Sequence, residues 1–267
     1  MSTSLAERMN HVSGSPTSAL IATVAELKRQ GKNVISLNVG EPDFGTPDYI
    51  KVAGIKAIAE NFTKYTPGSG ILELRQEIAK KLQKDNGIEY ALNEITTSVG
   101  AKQAIASSLM VIAGPGDEVL LPIPCWVSYT EMIRLAGAKP VFVPVRPDNY
   151  ELDLEAIEKA IGPNTKAIVI CTPNNPTGAV YREKDLRRLA ELAVEHDFFI
   201  VADEIYEKLV YDGAKHFSVA SISREVRDRT ITVNGFSKAY AMTGWRIGYA
   251  AARADVIKGI MAIQSQT

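Results

Sequence analysis

Three stretches of this 267-residue chain place chemically competent side chains directly after apolar, strand-like runs. Cys171-Thr172-Pro173-Asn174-Asn175-Pro176-Thr177-Gly178 follows one such run, and Asp203-Glu204-Ile205-Tyr206 follows the next. Asn234-Gly235-Phe236-Ser237-Lys238 follows a third, with Thr243-Gly244-Trp245-Arg246-Ile247-Gly248-Tyr249 shortly after. A lysine that burial and cationic neighbours can discharge is a nucleophile and a proton carrier. An arginine offers a planar fork suited to phosphate. Ser98-Val99-Gly100-Ala101-Lys102 reads as a strand-to-helix junction, where free amides and the helix dipole attract an anion. Each feature also has an ordinary explanation. Most lysines are solvated, an Asn-Pro-Thr-Gly stretch is usually a turn, a strand-end aspartate usually caps a helix, and Trp126 alone would read as core.

Composition narrows the field. Lysine plus arginine number 30 and aspartate plus glutamate 31, a net charge of −1, so the basic footprint of a nucleic-acid binder is absent. Hydrophobic residues at 46% and charged residues at 23% suit an ordinary globular protein. Two cysteines and three isolated histidines give neither a disulfide framework nor a metal site. No apolar run is long enough to span a membrane. The N-terminal stretch is an amphipathic helix start rather than a signal peptide, and Glu7 argues against a transit peptide, so the cytoplasm is the expected compartment. G-x-G-x-x-G after a strand, G-x-x-x-x-G-K-[ST] and G-x-S-x-G are all missing.

The elements that must position these residues alternate. Strands are expected at 34–37, 95–99, 118–121, 140–145, 167–171, 198–202, 230–233 and 247–251. Helices are expected from Pro16 to Gly31, from Pro47 to about residue 60, and at 72–82, 102–112, 127–136, 154–161 and 183–195, with a last one from about residue 255. Continuous β-branched strands between amphipathic helices indicate an α/β protein with a mainly parallel sheet covered on both faces. Ligands in such sheets bind beyond the carboxyl ends of the strands.

Together, the Ser-Lys and Gly-Trp-Arg-Ile-Gly stretch at 235–248 and the Asn-Asn-Pro-Thr-Gly loop resemble the class I aminotransferases, which depend on pyridoxal 5'-phosphate. Within that family the sequence is similar to the bacterial aspartate/prephenate branch, from about Leu5 to Thr267. The resemblance implies fold type I, with a seven-stranded sheet sandwiched by helices. It also implies an N-terminal arm with part of a small domain at 1–45, and a large cofactor-binding domain at 46–267. Lys238 would form the Schiff base with the cofactor and move the substrate proton. Asp203 would hold the pyridine nitrogen protonated, and Tyr206 and Asn175 would bond the ring's 3-oxygen. Gly100, Ala101, Lys102, Ser237 and Arg246 would bind at the phosphate end, and Trp126 would stack on the ring. Tyr65 would reach the phosphate from a second subunit, implying a homodimer. Gly40 and Asn175 would meet the substrate α-carboxylate, Trp126 would line the substrate site, and Lys102 would contact the distal carboxylate of an acidic substrate. The implied reaction is ping-pong transfer of an amino group from an aspartate-like acid to a 2-oxo acid such as 2-oxoglutarate, without metal or nucleic acid.

Two departures accompany the resemblance. Cys125 stands where relatives commonly carry tyrosine, which touches substrate preference rather than cofactor binding. Family members also continue past Thr267 with a subdomain that carries an arginine clamp for the α-carboxylate, and Arg253 lies too close to the preceding strand to replace it. A truncated chain, with weakened substrate binding and exposed apolar faces, is therefore expected. The competing readings are an aromatic or alanine aminotransferase, a carbon–sulfur lyase, a catalytically inert cofactor-binding fragment, and a plain structural domain.

Overall fold

The computed structural model describes residues 5–267. Residues 1–4, the first four of the expected arm at 1–45, lie outside the described residues. The strands are β1 (Ile95–Ser98), β2 (Glu118–Ile123), β3 (Lys139–Pro144), β4 (Thr165–Cys171), β5 (Phe199–Asp203), β6 (Thr230–Gly235) and β7 (Gly248–Ala251). They form a seven-stranded sheet of order β1-β7-β6-β5-β4-β2-β3. The pairs from β3 across to β6 are parallel, whereas β7 runs antiparallel to both β6 and β1.

Side-chain alternation divides the sheet between two helical layers. In β4, Ala167, Val169 and Cys171 face a cluster built with α4 (Gly100–Ile112), α5 (Ser128–Leu135) and α9 (Ala254–Gln264). Ile168 and Ile170 face the opposite cluster, built with α6 (Leu154–Ala160), α7 (Glu183–Glu195) and α8 (Arg224–Arg229). The strands therefore read as unbroken apolar runs because both faces are dry. Helix α7 is stapled down by Leu186, Leu189, Ala190, Leu192 and Ala193 at helical spacing, while its charged side faces outward. A third cluster packs α3 (Leu72–Lys81) against Ile95, Tyr249 and Ala251. One wide turn, Leu82–Asn86, continues α3 and ends at Gly87, whose φ of 70° closes it in the left-handed region.

Two expectations need correction. Residues 34–37 form no strand; Ile35 and Leu37 are 84% and 91% exposed, because no neighbouring strand supplies the ladder that β-branched residues need. The short α8 was not anticipated; Ser223 caps it by accepting from the Val226 amide (3.2 Å), a signal too brief for periodicity to reveal.

The first two helices differ from the rest. Neither α1 (Pro16–Arg29) nor α2 (Asp48–Ala59) fully buries any residue. Helix α2 lays its Ile50, Gly54 and Ala57 side inward, with Gly54 against the Trp245 ring. Its other side exposes Tyr49, Val52, Ile55 and Ile58, a stripe continued by Phe62.

Candidate active site

A cleft of about 540 Å³ opens at the carboxyl ends of β4, β5 and β6, as the sheet architecture requires. Ala101, Lys102, Trp126, Asn175, Asp203, Tyr206, Ser237, Lys238, Arg246 and Gly40 all line it. Gly100 sits just behind Ala101 against Arg246. Tyr65 does not join the cleft of its own chain; it is fully exposed on the loop after α2. Arg253 stands at the opposite end of the sheet, by the amino ends of β4 and β5, beside Lys166 and Asp197 and ion-paired to Asp255 at 2.8 Å.

Asp203 ends β5 and is 3% exposed. Its carboxylate accepts from the Tyr129 hydroxyl (2.6 Å) and the Ile205 amide (3.2 Å). Burial pushes the group up to about 6; the two hydrogen bonds and Lys238 oppose that rise, and the Glu204 charge adds to it. A buried carboxylate with this little compensation is poised to receive a protonated partner.

The loop after β4 is pinned by Asn174, whose side-chain oxygen accepts from the Thr177 amide (3.3 Å) and hydroxyl (3.1 Å). Asn175 is thereby left to donate to the Tyr206 hydroxyl at 3.2 Å. Burial pushes the Tyr206 phenol up to about 12, with Cys171 and Asp203 adding and Asn175 opposing.

Lys238 donates to the Gly40 carbonyl, and its ammonium lies 5.7 Å from the centre of the Tyr206 ring. Burial holds its pKa below the usual lysine range; Glu41 and Asp203 oppose that shift, and Arg246 reinforces it. Lys102 is lowered by burial and by Arg246, and its ammonium stands 4.8 Å over the Trp126 ring.

The other end of the cleft is a cradle for an anion. The first amides of α4 lack intrahelical acceptors by helix geometry, and Ala101 opens that turn into the cleft. The Arg246 guanidinium lies across Gly100, so a Cβ there would stand 2.7 Å from its terminal nitrogen. Gly100 also has φ +79°, which independently favours glycine. Arg246 itself adopts φ 59° and ψ 52° and donates to the Thr243 carbonyl (2.8 Å).

Sequence reasoning missed Tyr129. It sits three residues after Trp126, with ring centroids 5.3 Å apart, and that helical spacing was the available signal. It also missed the Asn38 side-chain nitrogen, which is buried at the cleft without a partner, and the Thr243 hydroxyl bond to Glu41 (3.0 Å).

Pyridoxal phosphate fits this donor set. The carboxylate end suits a pyridinium, the Asn175–Tyr206 pair suits a phenolic oxygen, and the α4–Arg246 end suits a phosphate. The orphaned Asn38 amide leaves a donor for a further oxygen. A lysine and an aspartate at adjoining strand ends, facing a helix-borne anion cradle, define a fold-type I pyridoxal-phosphate enzyme. Residues 32–267 match the class I and II aminotransferases, and the chain belongs to that family of pyridoxal-phosphate-dependent transaminases. It is 47% identical over 264 residues to the aspartate aminotransferase of Bacillus sp. (strain YM-2). It is 50% identical over 264 residues to a probable aspartate/prephenate aminotransferase of Aquifex aeolicus. Both matches cover 98% of this chain and 67% of the relative. The solved aspartate aminotransferase of Thermus thermophilus with maleate superposes with a TM-score of 0.96 at 46% identity, covering 100% of this chain and 69% of the other.

Proposed function

We propose that this transaminase moves the amino group of an aspartate-like amino acid to a 2-oxo acid such as 2-oxoglutarate in a ping-pong cycle. The carrying observation is Lys238, an amine discouraged from holding its charge, which shares one cleft with the buried Asp203 carboxylate and the Arg246 anion cradle. When bound, the cofactor supplies a conjugated ring that stabilises negative charge at the substrate α-carbon. Lys238 would hold the cofactor, and its amine, when free, would carry the α-proton of the substrate. Asp203 would keep the ring nitrogen protonated, with Tyr129 holding the carboxylate in place. Tyr206 and Asn175 would bond the 3-oxygen, and Trp126 would pack against the ring. Gly100, Ala101, Ser237 and Arg246 take the phosphate.

For the substrate, Gly40 and Asn175 meet the α-carboxylate, and Lys102 receives the distal one. Two features support an acidic substrate. Lys102 enters the cleft with its ammonium over Trp126, and the Thermus thermophilus relative was solved with maleate, a dicarboxylate. The exposed apolar stripe of α2 supports a homodimer in which Tyr65 reaches the partner's phosphate site. Residues 46–267 form the cofactor domain, and 1–45 the arm with part of a small domain. No helix among the described residues is long and apolar enough to cross a membrane. Both cysteines are free, and we place the protein in the cytoplasm.

Borohydride trapping tests this reading. The chain is incubated with pyridoxal phosphate, reduced, and mapped by mass spectrometry. Label confined to Lys238, followed by aspartate-driven amination of unreduced cofactor, is the expected result. Scattered label would overturn the site. Amination by aromatic amino acids or alanine but not aspartate would overturn the substrate and point to another enzyme on the same scaffold.

A further inference from the structure

The turn from Asp203 to Glu207 has two faces. Asp203 and Tyr206 line the cleft, while Glu204 and Glu207 engage a polar network outside it. Glu204 is 1% exposed and Glu207 6%. Asn86, at the end of the wide turn after α3, donates to Glu207 (2.8 Å), to the Ser218 hydroxyl (2.7 Å) and, more weakly, to Glu204 (3.4 Å). Ser218 donates onward to Glu204 at 2.7 Å. His216 Nε2 stands 3.2 Å from both Ser218 and Glu204. Lys81 closes the ring, ion-paired to Glu207 and donating to the Asn86 oxygen at 2.7 Å.

Glu204, Glu207 and His216 bring potential metal ligands within 4.8 Å of one another. The cation among them is Lys81, and the Asn86 and Ser218 donors already occupy the carboxylates. Burying two carboxylates is costly unless every lone pair is engaged, and apolar residues would fill the same space at less cost. The turn's backbone is fixed as well: the Glu204 amide donates to the Val233 carbonyl (2.8 Å), and the Glu207 amide to the Glu204 carbonyl (3.0 Å).

We propose that Glu204 and Glu207 are positioning residues, clamped by Asn86, Ser218, His216 and Lys81, which fix where Asp203 and Tyr206 stand in the cleft. This rests on the roles given above to those two residues. A local wide turn in an otherwise regular helix fits such a purpose, because it swings Asn86 beneath the Asp203–Glu207 turn.

The test uses Asn86→Ala, which removes hydrogen bonds but no charge. In cofactor-free protein, 13C NMR follows the titration of the Asp203 carboxyl, identified by its absence in Asp203→Asn. The groups that face Asp203 are Tyr129, Lys238, Cys171, Tyr206, Glu204 and the Ile205 amide, and of these Asn86→Ala touches only Glu204, by removing the weak 3.4 Å hydrogen bond. If the clamp holds the turn, its loss weakens the Tyr129 and Ile205 hydrogen bonds, and the Asp203 midpoint rises by about one pH unit. Cofactor affinity, read by fluorescence quenching, falls about tenfold. An unchanged Asp203 midpoint and unchanged affinity, with only a lower melting temperature, would overturn the proposal and leave the network purely structural. Ser218→Ala, which deletes one donor to Glu204, gives the same readouts with smaller shifts should Asn86→Ala fail to fold. If the unaltered chain takes up no cofactor, the functional reading fails, yet the Asp203 titration still decides the clamp.

Discussion

The N-terminal segment and the sheet body obey different rules. Strands β4 and β6 bury nearly every residue, and α7 buries a full side. Helices α1 and α2 fully bury none, and the segment between them leaves Ile35 and Leu37 in solvent. The body derives its stability from a two-sided core. The first segment is held by point contacts such as Gly54 on Trp245 and the Trp245 indole bond to Thr46 (3.1 Å). The residues proposed for covalent and proton-transfer chemistry therefore sit on the part with the two-sided core, while the first segment brings the Gly40 backbone to the same cleft.

Substitutions in each region sharpen this contrast. Lys238→Ala should have the largest effect, abolishing specific cofactor trapping and lowering transamination by about 10³-fold or more, as single-turnover absorbance with aspartate would show. In the body, Leu189→Ala should cost about 2–5 kcal/mol in urea unfolding, because a fully buried side chain leaves a cavity. Asp203→Asn separates stability from function. Its carboxyl is raised from 3.8 to about 6 in the fold, so its contribution is complete below the lower value and lost as pH rises through the higher one. The cofactor-free Asp203→Asn variant should therefore be more stable than the parent above pH 6, by about 1–3 kcal/mol in pH-dependent unfolding, while retaining cofactor poorly. The smallest effect belongs to α2. Ile55→Ser should change chain stability by less than about 0.5 kcal/mol, yet shift a dimer toward monomer in sedimentation. A loss of several kcal/mol there would break the contrast.

Most of the body was legible in the sequence because its signals are local. β4 is a continuous β-branched run, α7 a clean amphipathic repeat, and the Lys238 and Asn175 stretches are contiguous motifs. The two misread elements lacked such support: 34–37 carries the composition of a strand without a pairing partner, and α8 spans little more than one turn. The site's supporting shell was invisible for another reason. Asn86 meets Glu204 and Ser218 across sequence separations of 118 and 132 residues, so no window along the chain holds both ends of the contact. Tyr129 lay within reach, but a tyrosine on the buried side of a helix resembles ordinary core until the fold places it against Asp203.

The left-handed backbone of Arg246 sets two kinds of selection against each other. A non-glycine residue there costs about 1–2 kcal/mol, which glycine would relieve. Breeding this chain for heat tolerance alone would push position 246 toward glycine and discard the guanidinium proposed to grip the phosphate. Libraries screened without a cofactor should drift there first, and the enriched variants would be sturdier proteins with emptied clefts.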